Sequence, residues 1–436
     1  GFDMGGTTAK ICLVHGGEPV TVGSFEAART SRFQKGSGLP ILAPSVDLAE
    51  IGAGGGSIAR LNRMGLLQVG PRSAGAEPGP ACYGRGGSAA TVTDANLLLG
   101  YLNPAYFLGG RMPLSAEAAR RVLGEIAGPL GMSAEEAARG IHEIVTEQMA
   151  AAARVHIAEK GADPRRYVLI ATGGAGPAHA CLMARKLHIG RVVCPPAAGV
   201  ASAVGLLMAR PRSDVARAFV SEVDAIDWER VDTLFGEMRA EAREALGGAA
   251  EGGLEFRVAA DMRYRGQADS VTVPVPGENG RPAGAGSPPG AGSPPGAAAG
   301  LKERFEEAYF LRYMRKIEGV PVEMAAWRLT ALGERPGEIR ADSPGGGSLG
   351  EAPALGGHPA LGGHPARPHL KGTRRMLADA AGEFAEGAVY DRYALPEGEG
   401  FTGPAVIEER EASIFVPSGA SFEKDAAGNI RIALEG

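Results

Sequence analysis

The sequence predicts an α/β protein that ends in a smaller β-rich module. The run from Tyr167 to Cys194 reads strand, turn, helix, strand, which is the order of a βαβ unit, with Gly173–Pro177 as its turn. Near the amino end, the short apolar run Ile11–Val14 follows a pair of glycines and predicts a buried strand entered through a tight turn. From Tyr390 to Ile432, short alternating stretches separated by turn residues predict several more strands.

The composition is that of an ordinary globular protein. The chain has 436 residues, 44% of them hydrophobic, and a net charge of -5; its mean hydropathy is -0.05. This length predicts about three domains, or two with linkers. The charge gives no reason to expect nucleic acid or an anionic membrane as a partner. The four cysteines are far apart, without a C-x-x-C pair, and no signal peptide or apolar segment of membrane-spanning length occurs, so we expect reduced thiols and a cytoplasmic protein.

The first ten residues contain a pattern typical of a phosphate site. An acid, Asp3, precedes the paired glycines Gly5 and Gly6, and two hydroxyl residues, Thr7 and Thr8, follow them. Because glycines have no Cβ, their N–H groups can approach an anion, and the threonines add hydroxyl donors. Asp3 can hold a Mg²⁺ that phosphate oxygens also ligate. The stretch lacks the ending of a Walker A loop. An ordinary tight hairpin with an acid at its mouth is the alternative.

The segment from residue 51 to residue 102 is rich in glycine and proline and indicates ordered, irregular backbone. Gly52–Ser57 only partly matches a dinucleotide fingerprint, since serine replaces the final glycine and no clear strand precedes it. Cys82 is either a nucleophile or a buried structural thiol, and no neighbouring base favours the first. Asp94 is either a metal ligand or the N-cap of a helix that begins at Ala95, and the cap is the default.

Two helices follow with clear start signals. Ser115 caps a segment that reaches Leu130, and Ser133–Glu136 is a capping box that opens a long helix. His142 and His156 lie on this long helix, and we predict no catalytic role for either of them.

The glycine-rich turn of the βαβ unit is the second candidate binding element. Gly173, Gly174 and Gly176 lie where a strand ends and a helix begins, which makes a crevice where a nucleotide can lie against the backbone. His179 is in the first turn of that helix, where it either contacts a ligand or fills surface.

Six segments, in this order, resemble the hydantoinase A/5-oxoprolinase family, which also includes subunits of acetone and acetophenone carboxylases. They are GFDMGGTTAK, GAGGGSIARL, VGPRSAGAEPGPACYG, TVTDANLLLG, ATGGAGPAHA and GVASAVGLL. Asp261–Gln267 and Gly403–Glu409 match the family's C-terminal region. The resemblance implies an ATP-dependent enzyme with a fold of the actin, sugar-kinase and Hsp70 (ribonuclease H-like) group.

In that family, Gly1–Lys10 would be the second phosphate-binding loop and Gly173–Pro177 the loop beside the adenosine. The implied reaction is the hydrolysis of a cyclic amide, such as 5-oxoproline or a hydantoin, after ATP has phosphorylated its carbonyl oxygen. We assign chemistry to Asp3, which would position Mg²⁺ or the attacking oxygen, and to Asp94. The residues expected to hold ATP are Gly5, Gly6, Thr7, Thr8, Lys10, Gly173, Gly174, Gly176 and His179.

Two alternatives remain open, namely a subunit of an ATP-dependent ketone carboxylase and a non-catalytic subunit with a vestigial nucleotide site. The resemblance also implies two partners: an N-terminal domain that carries the first phosphate loop, and a hydantoinase B-like subunit. We therefore expect that this chain alone does not turn over ATP. Lys10 stands where many family members have an acid, and Tyr313–Arg315 stands where members often show Tyr-Gly-Tyr, which affects expectations for the substrate side.

Repetitive Gly/Pro-rich segments divide the chain. His358, His364 and His369 are either a loose metal-binding tract or a chance occurrence, and the second is favoured because no cysteine or acid completes a tetrahedral set. The predicted regions are a core at 1–215, an α/β extension at 216–340 with a low-complexity insertion at 277–300, a linker at 341–370 and the β-rich module at 371–436.

Overall fold

The computed structural model describes residues 1–23, 25–27, 37–41, 44–275, 295–334, 368–379 and 382–435. The predictions for 277–294 and for most of the linker, including His358 and His364, lie outside these residues. Within the described residues, no helix is both long enough and apolar enough to cross a lipid bilayer.

The regular elements are numbered in chain order. The α-helices are α1 Val92–Leu98, α2 Ala116–Leu130, α3 Ala134–Ala158, α4 Gly176–Lys186, α5 Ala201–Met208, α6 Trp228–Leu246 and α7 Pro295–Tyr313. The strands are β1 Phe2–Met4, β2 Ala9–Cys12, β3 Val14–His15, β4 Glu18–Pro19, β5 Thr21–Val22, β6 Phe25–Ala27, β7 Leu39–Ile41, β8 Ser45–Val46, β9 Leu48–Ile51, β10 Ser57–Leu61, β11 Leu67–Ser73, β12 Leu169–Thr172, β13 Arg191–Cys194, β14 Arg212–Glu222, β15 Glu255–Tyr264, β16 Val271–Pro274, β17 Val322–Leu332, β18 Leu370–Leu377, β19 Phe384–Asp391, β20 Gly400–Thr402, β21 Ala405–Glu408, β22 Ser413–Val416, β23 Ala420–Lys424 and β24 Ile430–Leu434.

A mixed sheet with the order β20-β23-β24-β13-β12-β1-β2-β9 forms the centre of the fold. Strands β1, β12 and β13 run parallel, whereas β2, β9 and β24 pair antiparallel with their neighbours. In β1, Phe2 and Met4 are buried and the intervening Asp3 is only half-buried, as the two-residue period of a strand requires. The carboxyl ends of β1 and β12 therefore lie at the same edge of the sheet, where ligands bind in open α/β sheets.

The predicted βαβ unit is confirmed as β12–α4–β13. Helix α4 is buried along almost its whole length, and its small residues let it lie close to the sheet: a Cβ added to Gly176 would lie 3.3 Å from the N atom of Met4. The two predicted helix starts are confirmed as well. Ser115 caps α2, and Ser133 with Glu136 forms the reciprocal capping box of α3.

The C-terminal segment is β-rich, and its strands belong to two sheets. Strands β18, β19, β21 and β22 form a four-stranded sheet, while β20, β23 and β24 extend the central sheet beyond β13. The described residues within 1–205 and 340–436 form one compact unit, and those within 206–339 form a second. The four-region division of the sequence stays a prediction.

The second unit contains the sheet β14-β17-β15-β16 with helices α6 and α7. Its core is built around Trp327, which is fully buried and has Phe235 against its ring in an edge-to-face contact at 5.5 Å. Helix α7 begins at Pro295, within the segment 277–300 that was expected to be an insertion, and ends at Tyr313. Proline is tolerated in a first helical turn, and the alanines that follow it favour helix.

Candidate nucleotide site

The turn between β1 and β2, which we call the first glycine loop (Gly5–Thr8), exposes unpaired donors. The N–H of Gly5 donates to the carbonyl oxygen of Thr8 at 3.1 Å and closes the turn. Among the described residues, the N–H groups of Gly6, Thr7 and Thr8 and the two threonine hydroxyls have no hydrogen-bond partner. Gly6 and Thr7 are exposed. The loop can therefore offer several donors to an anion without losing internal bonds.

A buried set of glycines supports this loop from behind. In this glycine platform (Gly54–Gly56), the N–H of Gly55 donates to the Gly5 oxygen at 3.0 Å and that of Gly56 to the Gly6 oxygen at 2.7 Å. A Cβ on Gly54 would lie 2.5 Å from the N atom of Thr7, closer than real Cβ contacts. The platform thus fixes the loop and turns its carbonyl groups inward.

The glycine platform is a part of the site that was not predicted from the sequence. The expectation that no strand precedes this incomplete dinucleotide fingerprint is wrong, because β9 (Leu48–Ile51) directly precedes it and pairs with β2. Three consecutive glycines after a strand were the available signal, because such a run allows the close backbone approach seen here.

Asp3 lies beside the first glycine loop with one free carboxylate oxygen. Its Oδ2 accepts from Ser202 Oγ at 2.8 Å and from Thr172 Oγ1 at 3.2 Å. Within the described part of the chain, its Oδ1 accepts no hydrogen bond. Lys10 is exposed and lies opposite Asp3 on β2, with Glu50 of β9 opposite it on the other side.

The second glycine loop (Gly173–Ala175) follows β12 at the same edge of the sheet. Gly173 has a φ of 83°, and a Cβ there would lie 2.3 Å from the carbonyl oxygen of Met4. Its N–H donates to the oxygen of Ala198 at 2.8 Å, and the N–H of Ala175 donates to Met4 at 2.9 Å. Gly174 is exposed, and α4 begins directly afterwards without a side-chain cap. The structure therefore brings together Asp3, Gly5–Thr8, Gly173, Gly174 and Gly176.

His179 does not belong to this cluster, which corrects the expectation that it contacts a nucleotide. Its exposed fraction is 0%, and its ring stacks on that of His142 with centroids 4.1 Å apart. Its nitrogens lie 3.1 Å from Asn96 Nδ2 and 3.1 Å from Thr146 Oγ1. Burial, and then the neighbouring His142, hold the pKa of His179 well below its ordinary value. One turn into α4, the side chain faces α3 rather than the loop.

Asp94 is buried, and its carboxylate accepts hydrogen bonds from groups of this chain. It is the third residue of α1 and not its N-cap, which is Thr91. Its carboxylate accepts from Cys82 N at 2.7 Å, from Ala81 N at 3.3 Å, and from both N and Oγ1 of Thr91, at 2.9 and 2.7 Å. The predicted N-cap position is therefore wrong, and Asp94 instead completes the capping box of α1 from its third residue. The catalytic role of Asp94 stays a prediction that these contacts do not support. Cys82 is a buried thiol whose pKa is raised by burial and by Asp94.

Among the described residues, no group of three or more histidine, cysteine, aspartate or glutamate side chains is arranged to hold a metal ion. His369 instead packs against the rings of Tyr390 and Phe401, with centroids 6.0 and 5.4 Å apart. Asp3 therefore remains the candidate acid at the glycine loops, where a metal would share its ligands with a bound phosphate.

Comparison with known proteins agrees with this arrangement of loops. The hydantoinase/oxoprolinase family model matches residues 1–215. The chain is 32% identical to the caprolactamase subunit alpha of Pseudomonas jessenii, over 99% of this chain and 57% of the relative. It is 32% identical to the acetophenone carboxylase gamma subunit of Aromatoleum aromaticum, over 87% of this chain and 49% of the relative. The chain belongs to the hydantoinase/oxoprolinase family.

A solved structure extends the likeness to the fold. The crystal structure of the ATP-dependent caprolactamase from Pseudomonas jessenii superposes with a TM-score of 0.74 at 30% identity, covering 100% of this chain and 58% of that one. With the large mixed sheet, this likeness confirms the predicted α/β fold class. The chain spans between about half and three fifths of the length of these relatives.

Proposed function

We propose that this chain provides the nucleotide-binding part of an ATP-dependent enzyme that hydrolyses a cyclic amide. The observation that carries the proposal is the meeting of two glycine loops and Asp3 at the carboxyl ends of the adjacent parallel strands β1 and β12. Two such loops on neighbouring strands give backbone donors on two sides of one crevice. The caprolactamase relative supports a cyclic amide as the substrate class.

The residues present fit a nucleotide with Mg²⁺. Among the residues that the structure describes, none comes within 4 Å of a Cβ built on Gly5 or Gly6 apart from their chain neighbours, so the front of the first glycine loop is open to a phosphate. The unpaired N–H groups of Gly6, Thr7 and Thr8 would hold the phosphates, and the free Oδ1 of Asp3 would hold the metal. The exposed Gly174 would lie on the nucleoside side. ATP with Mg²⁺ supplies the phosphoryl group that activates the amide carbonyl, which resonance otherwise protects from water.

The chain itself would contribute by orienting the N–H donors of the first glycine loop and the negative charge of Asp3. Ser202 and Thr172 both donate to the same oxygen of Asp3, which fixes the carboxylate and leaves its other oxygen directed to the site. The glycine platform holds the first loop, so that its donors need no rearrangement when charge develops on the phosphate. Catalysis of phosphoryl transfer comes mainly from such preorganised donors, which position the phosphate and stabilise the charge on it.

A ketone carboxylase subunit is the second candidate. The observation that favours it is the likeness to the acetophenone carboxylase gamma subunit over 87% of this chain. Both reactions would use the same nucleotide loops, so the structure of this site does not separate them. Product analysis with a lactam, a hydantoin and a ketone in the presence of bicarbonate would separate them directly.

The proposed partners are a hydantoinase B-like subunit and a domain with the first phosphate loop. Two of the relatives are named as subunits, alpha in one case and gamma in the other. An actin-like site takes phosphate contacts from two lobes, and the described residues supply one phosphate loop. The assay of function should therefore use the chain assembled with these partners. The cytoplasmic location stays a prediction.

Replacing Asp3 by asparagine tests the proposal. The two side chains are nearly isosteric, so folding should persist while the charge is lost. We expect Mg²⁺-dependent ATP turnover by the assembled enzyme to fall by about 10²–10³-fold, the effect of losing one stabilising group at a phosphoryl-transfer site. Glu386→Gln removes an equivalent charge from an exposed position on β19 and should leave turnover unchanged. Unchanged turnover in Asp3→Asn would refute the assignment.

A further inference from the structure

The segment Gly403–Glu409 resembles the family's C-terminal region, yet the proposed function gives it no role. Its last residue, Glu409, is only 3% exposed. Its Oε1 accepts the N–H of Ala197 at 2.6 Å, and its Oε2 lies 3.5 Å from Arg392 Nη1. Arg392 is equally buried and donates through Nη2 to the carbonyl oxygens of Cys194 and Gly428, at 3.0 and 2.9 Å. A buried carboxylate is thus paired with a guanidinium and also bonded to backbone, which is how a protein keeps such a charge inside.

The backbone held by Glu409 is unusual. Ala197 has a φ of 54°, in the left-handed region that residues with a Cβ rarely adopt. Such a conformation is strained and persists only where the surroundings determine it. The hydrogen bond from Ala197 to Glu409 is one such determinant. The turn that follows Glu409 is another, because a Cβ on Gly199 would lie 2.4 Å from the Cβ of Glu411.

The segment that begins at Ala197 connects the two halves of the candidate site. We call it the strap (Ala197–Ser202). The oxygen of Ala198 accepts the N–H of Gly173 at 2.8 Å, which anchors the second glycine loop. The hydroxyl of Ser202 donates to Oδ2 of Asp3 at 2.8 Å, which orients the acid. Both groups proposed to meet the nucleotide are therefore bonded to one short segment whose first residue is fixed by Glu409.

We propose that Glu409, held in place by Arg392, is a positioning residue of the nucleotide site and acts through the strap. This proposal rests on the proposed function, since it concerns the same site. Glu409 contacts neither phosphate nor metal in this arrangement. It keeps Ala197 in its left-handed conformation, and the strap then presents Ala198 to Gly173 and Ser202 to Asp3. Loss of Glu409 would therefore weaken the anchoring of the second glycine loop and the orientation of Asp3 at the same time.

Hydrogen–deuterium exchange without nucleotide tests the structural half of the proposal. In Glu409→Ala, peptides that cover residues 173–176 and 197–202 should exchange at least about fivefold faster, because their shared anchor is gone. Peptides from α2 and α3, in the same compact unit, should exchange as in the parent. Glu409→Gln keeps an oxygen that can accept from Ala197 but loses the charge that pairs with Arg392, so its effect should be smaller. Glu386→Gln, on the exposed face of β19, should change neither segment.

Equilibrium dialysis with ATP and Mg²⁺ tests the functional half on the same proteins. We expect Glu409→Ala to bind ATP about tenfold more weakly than the parent, on the scale of one lost hydrogen bond, with Glu409→Gln between them. In Glu409→Ala, unchanged exchange in residues 173–176 and 197–202 would overturn the proposal, and so would exchange that rises equally in α2 and α3. An ATP affinity of Glu409→Ala equal to that of the parent would also overturn it. If Glu409→Ala does not fold, Glu409→Gln is judged by the same criteria. If the parent, assembled with the proposed partners, binds no ATP, the proposed function fails, while the exchange result still decides whether Glu409 positions the strap.

Discussion

The stacked imidazoles of His142 on α3 and His179 on α4 make the stability of the first unit depend on pH. Their exposed fractions are 1% and 0%, and their ring planes are 10° apart. His142 Nδ1 lies 2.8 Å from Asn96 Oδ1, so this nitrogen carries the proton of a neutral ring. Burial lowers the pKa of His142 to about 3, and it holds the pKa of His179 well below its ordinary value.

The sign follows from proton binding in the two states. Unfolded histidines have a pKa of about 6.5, so below that pH the unfolded chain takes up protons that the folded chain does not. The free energy of unfolding therefore falls as the pH falls through about 6.5. As the pH falls from about 7.5 to about 5.5, His142 lowers the free energy of unfolding by about 1.4 kcal/mol, and His179 adds a loss of the same sign. The pKa of His156 is also lowered by burial, which adds a loss of the same sign.

Urea unfolding at about pH 7.5 and at about pH 5.5 measures how much the free energy of unfolding falls between the two. The proteins compared are the parent, His142→Gln and His188→Asn. Only the change with pH within each protein is compared, so the packing cost of the glutamine cancels. We expect the pH-dependent loss in His142→Gln to be smaller than that of the parent by about 1.4 kcal/mol. His188 is exposed, with a φ of 56° that asparagine tolerates, and its variant should lose as much as the parent. An equal loss in parent and His142→Gln would refute the reasoning.

Three further predictions concern the backbone and the buried groups around the glycine loops. Gly54→Ala should lower the free energy of unfolding by about 1–3 kcal/mol, since its Cβ would lie 2.5 Å from the N atom of Thr7. A Cβ at Gly5 has no contact within 4 Å in the described part of the chain, so Gly5→Ala should be close to neutral. Equal urea midpoints for the two variants would contradict this packing. Asp94→Asn removes an anionic acceptor shared by several buried donors, so we expect the free energy of unfolding, measured by thermal melting, to fall by about 2–3 kcal/mol. A melting temperature equal to that of the parent would show that these hydrogen bonds do not stabilise the fold. Cys82 should resist iodoacetamide in the folded protein and react in urea, because burial raises its pKa, and rapid modification of the folded protein would show that the thiol is accessible.

Features with local signals could be predicted from the sequence. The capping box at Ser133–Glu136 needs only a few neighbouring residues and formed where expected. The turn predicted at Gly173–Pro177 is also local, but it is shorter than expected because α4 begins at Gly176. The first glycine loop is likewise a short-range feature. A resemblance covering nearly the whole chain gave the fold class, which periodicity alone would have left at α/β.

Features that depend on distant residues could not be predicted in this way. Asp3 is oriented by Ser202, 199 residues away, and Ala197 is held by Glu409, 212 residues away. No local pattern in either segment indicates its partner. His179 was misplaced for the same reason, because the packing of α4 on α3 decides which way the first turn of α4 faces.

The sharing of C-terminal strands between two sheets is a further case. Strand β24 pairs with β13, although more than two hundred residues separate them in the chain. The alternating pattern of the last segment predicts strands but not the sheet that they join, since the two-residue period is the same in either. This is why the β-rich segment could be predicted while its place in the central sheet could not.

The most direct test of the nucleotide site is the binding of ATP by Gly6→Ala, assembled with the proposed partners and measured by equilibrium dialysis with Mg²⁺ and nucleotide in the millimolar range. The added methyl meets none of the described residues within 4 Å, so a ligand at the first glycine loop is what it would obstruct. Gly190→Ala is the matched control, because its Cβ is equally free of contacts with the described residues and lies directly before β13. We predict that the parent and Gly190→Ala bind ATP alike, and that Gly6→Ala binds at least about tenfold more weakly with an unchanged urea midpoint. Equal binding by all three proteins, or no binding by the parent, would contradict the assignment of this loop to phosphate.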